Sequence, residues 1–477
     1  MNNFPNYRGD LFYKCQECGA EFEGDELYYT CPRCKGVFLL ENKEFSKLKE
    51  VSGQKWREIF DARLGTKLNV LRGIFRYYEL IAPIFEPEDI VYLGEGNTPI
   101  IEANHNLKKL VGLKFFYKND GQNPSASFKD RGMACAFSFL NYLVRKFEWS
   151  EILTICASTG DTSAAAAMYA AYVNKAIKSV VLLPQGKVTP QQLAQPLGSG
   201  ALVIELPGVF DDCMKVVEFL ADNYRVALLN SKNAWRILGQ ESYAYEIAQW
   251  FDWDVANKVI FVPIGNAGNI TAIINGFLKL YQLQIIDSLP KIIGVQSRHA
   301  DPVFRFYSQP KASRTYSPVQ VEPSVAQAAM IGNPVSFPRV KNLVERYEKS
   351  GGTFHVVQVE EQEILDCMLI ANRGGHIACT QGGECLAGLL RAKEKQLIVK
   401  DEEAILDATA HMLKFIGFQQ MYFEENIPPS YEIVPKPELI NKPVQVLDQT
   451  TKDRLDFAEF VQRAGNEIVS LLGISKR

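Results

Sequence analysis

Ser127-Phe128-Lys129-Asp130-Arg131-Gly132 is the stretch on which the reading of this chain turns. It closes the loop that begins Asn123-Pro124-Ser125-Ala126, follows an apolar strand candidate at Leu113–Lys118 and opens a helical stretch, Gly132–Lys146. A lysine there lies near a helix N-terminus, where the dipole disfavours its ammonium form. A lysine of lowered pKa is a nucleophilic amine, the requirement for a Schiff base. Taken alone, Lys129 reads more simply as a surface lysine paired with Asp130.

Outward from this loop, short apolar runs alternate with helical ones. Further strand candidates are Ile152–Ala157, Ser179–Leu183, Ala201–Leu206, Val226–Leu229, Lys258–Val262 and Lys291–Val295. Helix candidates are Ser163–Lys175, Phe210–Asn223, Gly239–Phe251, Asn269–Leu283 and Glu360–Arg373. Strands alternating with helices of this length imply βαβ units and mainly parallel sheets, an α/β fold. So many strands suggest two such sheets. The 477 residues allow about three domains and a sizeable core.

Lys and Arg number 52 against 55 Asp and Glu, a net charge of −3 that excludes a nucleic-acid binder driven by bulk charge. No apolar run is long enough for a membrane span, and Met1–Arg8 lacks the pattern of an export signal, so a cytoplasmic location is expected. Residues 41–92 read as a largely helical linker and arm. Residues 431–477 read as a Pro-rich, surface-wrapping extension with a helix from Lys452 to Leu472.

In open α/β sheets the chemistry sits on loops beyond the strand C-termini. Ala157-Ser158-Thr159-Gly160-Asp161-Thr162-Ser163 can cradle an anion at a helix start, or can be a capped helix. Pro263-Ile264-Gly265-Asn266-Ala267-Gly268-Asn269 can wrap a phosphate with consecutive N–H groups, though many strand-to-helix turns contain two glycines. Asn230-Ser231-Lys232-Asn233-Ala234-Trp235-Arg236 offers a second anion site or an ordinary polar loop.

The N-terminus carries its own pattern. Cys15-Gln16-Glu17-Cys18 and Cys31-Pro32-Arg33-Cys34 are two CxxC units twelve residues apart. Two such knuckles give an S4 set suited to Zn²⁺, with a short hairpin through Glu26–Tyr29 filling the gap. Four protein ligands close the site, so the metal would be structural. A ribbon that folds without metal, or two redox pairs, fits the same spacing. Residues 1–40 are thus a zinc-ribbon-like segment.

Together the loops identify a resemblance. Leu93-Gly94-Glu95-Gly96-Asn97-Thr98-Pro99, Ser127–Gly132, Ser158–Ser163, Asn230-Ser231 to Arg236-Ile237-Leu238-Gly239-Gln240, Gly265–Asn269, Ile331-Gly332-Asn333-Pro334 and Thr409-Ala410-His411-Met412-Leu413-Lys414 resemble the threonine synthase family in the right order. These are pyridoxal-phosphate (PLP) enzymes of fold type II, the tryptophan-synthase-β-like fold. The resemblance implies two three-layer α/β/α domains within residues 93–430. The smaller spans about 140–235; the larger combines 93–139 and 236–430.

The resemblance also implies roles. Lys129 would form the internal aldimine with PLP, beside Phe128. Gly265, Asn266, Ala267, Gly268 and Asn269 would cup the cofactor phosphate, and Thr409 would stand at the pyridine nitrogen. Asp161 would face the phenolic oxygen, where the branch carrying this lysine motif usually has Asn. Ser158, Thr159 and Thr162 would hold the substrate carboxylate, and Asn230, Ser231 and Arg236 its phosphate. Ala378-Cys379-Thr380-Gln381-Gly382-Gly383-Glu384 departs from a Glu-Pro pair common in relatives.

The implied reaction converts O-phospho-L-homoserine and water to L-threonine and phosphate by γ-elimination and β-hydration. Neither nucleic acid nor membrane is an expected partner, and a homodimer is allowed. Three alternatives stand beside it: a cysteate-synthase-like enzyme on another phosphorylated amino acid, a threonine-dehydratase-like enzyme, and a zinc-ribbon binding protein on an inactive scaffold.

Overall fold

The computed structural model describes residues 4–475 apart from Thr159, 174–175, 186–189 and Val209. Three strands form the N-terminal ribbon: β1 (Leu11–Cys15), β2 (Glu21–Glu23) and β3 (Phe38–Asn42), antiparallel in the order β2-β1-β3. The expected hairpin through Glu26–Tyr29 is not there. The hairpin forms earlier, between β1 and β2, because Tyr28 turns inward against Tyr13, Phe22 and Phe38.

The large sheet contains β4 (Ile100–Glu102), β5 (Phe115–Lys118), β10 (Lys258–Pro263), β11 (Lys291–Ser297), β12 (Thr353–Val359) and β13 (Glu403–Asp407) in the order β12-β11-β10-β13-β5-β4. All pairings are parallel except the β4 edge. The small sheet runs β8 (Leu202–Leu206), β7 (Ile177–Pro184), β6 (Ile152–Ala157), β9 (Val226–Leu228), entirely parallel. Lys258-Val259-Ile260-Phe261-Val262-Pro263 is buried throughout, as a central strand covered on both faces must be.

The helices that matter to the site are α1 (Lys129–Phe147), α2 (Asp161–Tyr172), α3 (Ala234–Gln240), α4 (Gly268–Gln282) and α5 (Thr380–Glu394); away from it, near the C-terminus, lies α6 (Phe457–Leu472). The expected helix Gly239–Phe251 breaks into α3 and Ser242–Trp250. At the break Gly239 lies flat on α1, where a Cβ would stand 2.2 Å from the Arg131 carbonyl oxygen. The expected tail helix 452–472 is likewise two pieces, Gln449–Lys452 and α6, because Asp456 caps the second with a reciprocal Glu459 bond. Residues 41–90 contain one regular helix of length, Gly53–Ala62; most of the rest is short turns, and this corrects the expectation of a largely helical arm. Strands β12 and β13 and helix α5 were not expected. The polar residues of Thr353-Phe354-His355 and the glycines of Thr380-Gln381-Gly382-Gly383 hide them from a pattern reading.

The ribbon is joined to the α/β body. Trp235 donates its indole N–H to Tyr13 Oη (2.8 Å), and Arg339 Nε donates to Phe38 O (2.7 Å). No helix among the described residues is long and apolar enough to cross a membrane.

Candidate active site

Strands β10, β13 and β5 are neighbours, so the loops leaving their C-terminal ends converge. They carry Gly265–Asn269, Thr409 and Lys129. The small sheet adds loops from the C-terminal ends of β6 and β9, which carry Asp161 and Ser231–Arg236. A cavity lies between them. Its wall includes Phe128, Lys129, Asp161, Ser231, Arg236, every residue from Gly265 to Asn269, and Thr409.

Lys129 is the first residue of α1, and its ammonium lies 3.9 Å from the Phe128 ring centre. Among the described residues its Nζ has no hydrogen bond or ion pair. Burial pushes this ammonium down to about 7, Arg236 pushes the same way, and Asp161 and Asp407 oppose them. The expected pairing with Asp130 is absent. Asp130 instead accepts from Ser125 N (2.7 Å), and burial raises its carboxyl to about 7. Arg131, beside it, is fixed by a buried network. Its guanidinium donates to Asp120 and Glu246, and Glu246 also accepts from Lys118. That network anchors the turn from which Lys129 projects.

The loop after β10 is shaped for an anion. Ala267 adopts φ +62°, the left-handed region that a residue with a Cβ seldom enters, just before α4 begins. Consecutive N–H groups at such a turn form a concave nest at a helix N-terminus. Gly265 leaves room for the neighbouring segment: a Cβ there would lie 2.9 Å from Ala329 Cα. Asn269 is held by its bond from Nδ2 to Asp407 (2.7 Å).

Arg236 is 2% exposed. Its Nη1 donates to Leu229 O (2.7 Å), its Nε has no partner, and no carboxylate among the described residues pairs with it. Tyr29 and Cys156 are its polarisable neighbours, and burial pulls its pKa down. A buried guanidinium with no carboxylate beside it among the described residues is suited to an anion.

Not every expected residue reaches the cavity wall. Asn230 spends its amide on the β6 end, donating to Ala157 O (2.6 Å) and accepting from Ala157 N (3.2 Å). Ser158 and Thr162 are also off the wall: Ser158 Oγ accepts from Gly160 N (3.2 Å), and Thr162 sits in the first turn of α2. Thr159 lies outside the described residues. Conversely, Ile237, Gln240, Gln381, Ala328 and Ala329 line the cavity without having been assigned a role. Position in sequence offers no signal for the alanines. Lys414, inside the Thr409 motif, reaches across to the small sheet's elements, 3.4 Å from Asp161 and bonded to Gln195.

At the ribbon, the sulfurs of Cys15, Cys18, Cys31 and Cys34 lie within 4.8 Å of one another. Cys15 and Cys34 sulfurs are 3.4 Å apart, and those of Cys18 and Cys31 are 3.7 Å apart. A tetrahedron with Zn–S bonds of ~2.3 Å has S···S edges of about 3.8 Å.

A buried lysine of lowered pKa, a tight turn at a helix N-terminus and a threonine hydroxyl meet at one cavity, an arrangement suited to a cofactor-dependent α/β enzyme. The model of the family "Pyridoxal-phosphate dependent enzyme" matches residues 91–406, and the chain belongs to that family. Within it, the chain is 37% identical to threonine synthase of Methanocaldococcus jannaschii over 85% of this chain and 93% of that protein. It is 34% identical to threonine synthase 2, chloroplastic, of Arabidopsis thaliana, over 84% of this chain and 76% of the other. The crystal structure of threonine synthase from Escherichia coli shares the fold: TM-score 0.61, 18% identity, 95% of this chain and 99% of that one.

The residues present fit PLP. The turn at Gly265–Asn269 suits its phosphate, the amine of Lys129 suits its aldehyde, and Thr409 puts a neutral hydroxyl on the same cavity wall.

Proposed function

We propose that this chain is a threonine synthase, converting O-phospho-L-homoserine and water to L-threonine and phosphate. The observation that carries the substrate class is Arg236, a buried, unpaired guanidinium in the same cavity as Lys129. The cavity has a separate nest for one phosphate at Gly265–Asn269, so Arg236 and Ser231 are free to hold a second. A dehydratase, whose substrate bears no phosphate, would leave that cation buried and unmatched.

PLP, when bound, supplies the electron sink that makes a substrate carbon next to the amine acidic. The chain does the rest. Gly265–Asn269 and the α4 N-terminus hold the cofactor phosphate. Thr409 offers a hydroxyl and no formal charge at the ring nitrogen. Asp161, with Lys414 beside it, faces the cavity from the opposite domain. Lys129, poised near pH 7, is the base that takes a proton from the substrate and the acid that returns one. Arg236 and Ser231 hold the leaving phosphate in place as its C–O bond breaks at the γ-carbon and water adds at the β-carbon. The roles of Ser158, Thr162 and Asn230 require the substrate to draw their loops inward.

The four cysteine sulfurs, spaced as a tetrahedral set requires, support a structural zinc ion in the ribbon. A thiolate site implies a reducing compartment, and we place the enzyme in the cytoplasm. We read residues 93–430 as the catalytic unit, the 140–235 part moving against the remainder.

The test is phosphate release from PLP-loaded protein given O-phospho-L-homoserine or O-phospho-L-serine, with the product identified. Threonine from phosphohomoserine is the expected result. Turnover of phosphoserine alone, with an added nucleophile, would transfer the assignment to a replacement enzyme of cysteate-synthase type.

A further inference from the structure

Gln381 is a polar side chain whose hydrogen-bonding groups the protein itself leaves unmatched. It stands in the first turn of α5, is 3% exposed, and lines the cavity shared by Lys129 and Thr409. Among the described residues neither its Oε1 nor its Nε2 has a partner. A buried amide with two donors and an acceptor unsatisfied is a liability in a folded protein unless something else fills those bonds.

The backbone leaves Gln381 little freedom to escape. Residues 377–379 run against the Thr409 loop: Met412 N donates to Ile377 O (3.0 Å), Ala378 bridges His411, and Cys379 Sγ lies 3.5 Å from Thr409 Oγ1. The two residues after Gln381 are wedged. Gly382 O accepts from Tyr117 (3.2 Å), and a Cβ on Gly383 would stand 2.4 Å from Ile364 O. The departure Cys379-Thr380-Gln381-Gly382-Gly383 thus has a physical account. The glycines let α5 close on its neighbours, and that closure fixes Gln381 in the cavity wall beside the Thr409 loop.

The chemistry at this end of the cavity differs from the rest. Gly265–Asn269 and Arg236 suit anions, whereas Thr409 and Gln381 are a hydroxyl and an amide, both without formal charge. Such a set matches an uncharged heteroaromatic edge rather than a phosphate or a carboxylate.

We propose that Gln381 is a further cofactor-binding residue, its amide hydrogen-bonding the ring edge of PLP beside Thr409 and setting the affinity of the chain for it. This rests on the PLP reading above. The amide is a polar group kept for the ligand, so replacing it by an apolar side chain of similar size weakens the ligand and leaves the free fold intact.

The experiment uses the full-length apo-protein with Gln381→Met and Gln381→Leu. Pyridoxamine phosphate, which cannot bond covalently to Lys129, is titrated by fluorescence, and melting temperatures are recorded without ligand. The expected result is a dissociation constant at least tenfold weaker in both variants, with apo melting temperatures equal to or above wild type. Dissociation constants within twofold of wild type would overturn the proposal. So would destabilised or unfolded apo forms of both variants, since the amide would then serve the fold. If wild-type protein binds neither pyridoxamine phosphate nor PLP, the cofactor reading itself fails, a result distinct from either of these.

Discussion

Lys129 makes a quantitative prediction about the apo-protein. Its amine is held near 7 in the fold, against ~10.4 for an unperturbed lysine, mainly because burial disfavours the ammonium. The unfolded chain therefore binds one proton more than the native chain at any pH between those values. Linkage then makes stability rise with pH across this window, by about 1.4 kcal/mol per unit from this group. The penalty is fully present below pH ~7 and gone above ~10.4, about 4–5 kcal/mol in all. Between pH 7.5 and 9.5 the apo wild type should gain roughly 2–3 kcal/mol relative to Lys129→Met, in which the group is missing. Other titrating side chains are common to both proteins and cancel in the difference. Urea unfolding of the two apo-proteins at pH 7.5, 8.5 and 9.5 measures it. Parallel stability curves would refute the reasoning: the lysine would then be an ordinary solvated ammonium, unable to act as a base near neutrality.

Arg236→Met should raise KM for the phosphorylated substrate about 30- to 1,000-fold, the loss of a charge-assisted contact of ~2–4 kcal/mol, while PLP affinity stays within threefold. Equal loss of both in steady-state kinetics and a PLP titration would mean that the two anion sites have been exchanged. Stripping zinc with a chelator, or Cys31→Ser, should lower the melting temperature and raise KM several-fold, because Tyr13 of the ribbon accepts the Trp235 indole N–H one residue from Arg236. Calorimetry and kinetics on the stripped protein check this, and an unchanged KM would show the ribbon to be energetically separate from the site. Gly383→Ala should cost roughly 1–3 kcal/mol in urea unfolding, since its Cβ meets the Ile364 carbonyl at 2.4 Å with backbone on both sides. Wild-type stability in that variant would mean that α5 can shift away from its neighbour.

The sequence alone carried the class of fold and most of the residues that meet at the cavity. Apolar strand cores such as Ile152–Ala157 and Lys258–Pro263 are legible because a strand covered on both faces must be apolar throughout. Lys129, Gly265–Asn269, Thr409 and Arg236 are legible because each sits in a local motif whose residue types are the chemistry. Less regular elements were not legible. β13, at the centre of the large sheet, and α5, opening on two glycines, are defined by what packs against them rather than by their own periodicity. Tertiary structure also decided the state and use of each group. The ammonium of Lys129 is lowered first by burial and then by Arg236, and both the enclosing walls and Arg236 come from elements far away in the chain. Asn230 is spent on Ala157, and Gln381 has no partner among the described residues, for the same reason. A residue type states what a side chain can do; burial and neighbours, which depend on the whole chain closing on itself, determine whether it does it.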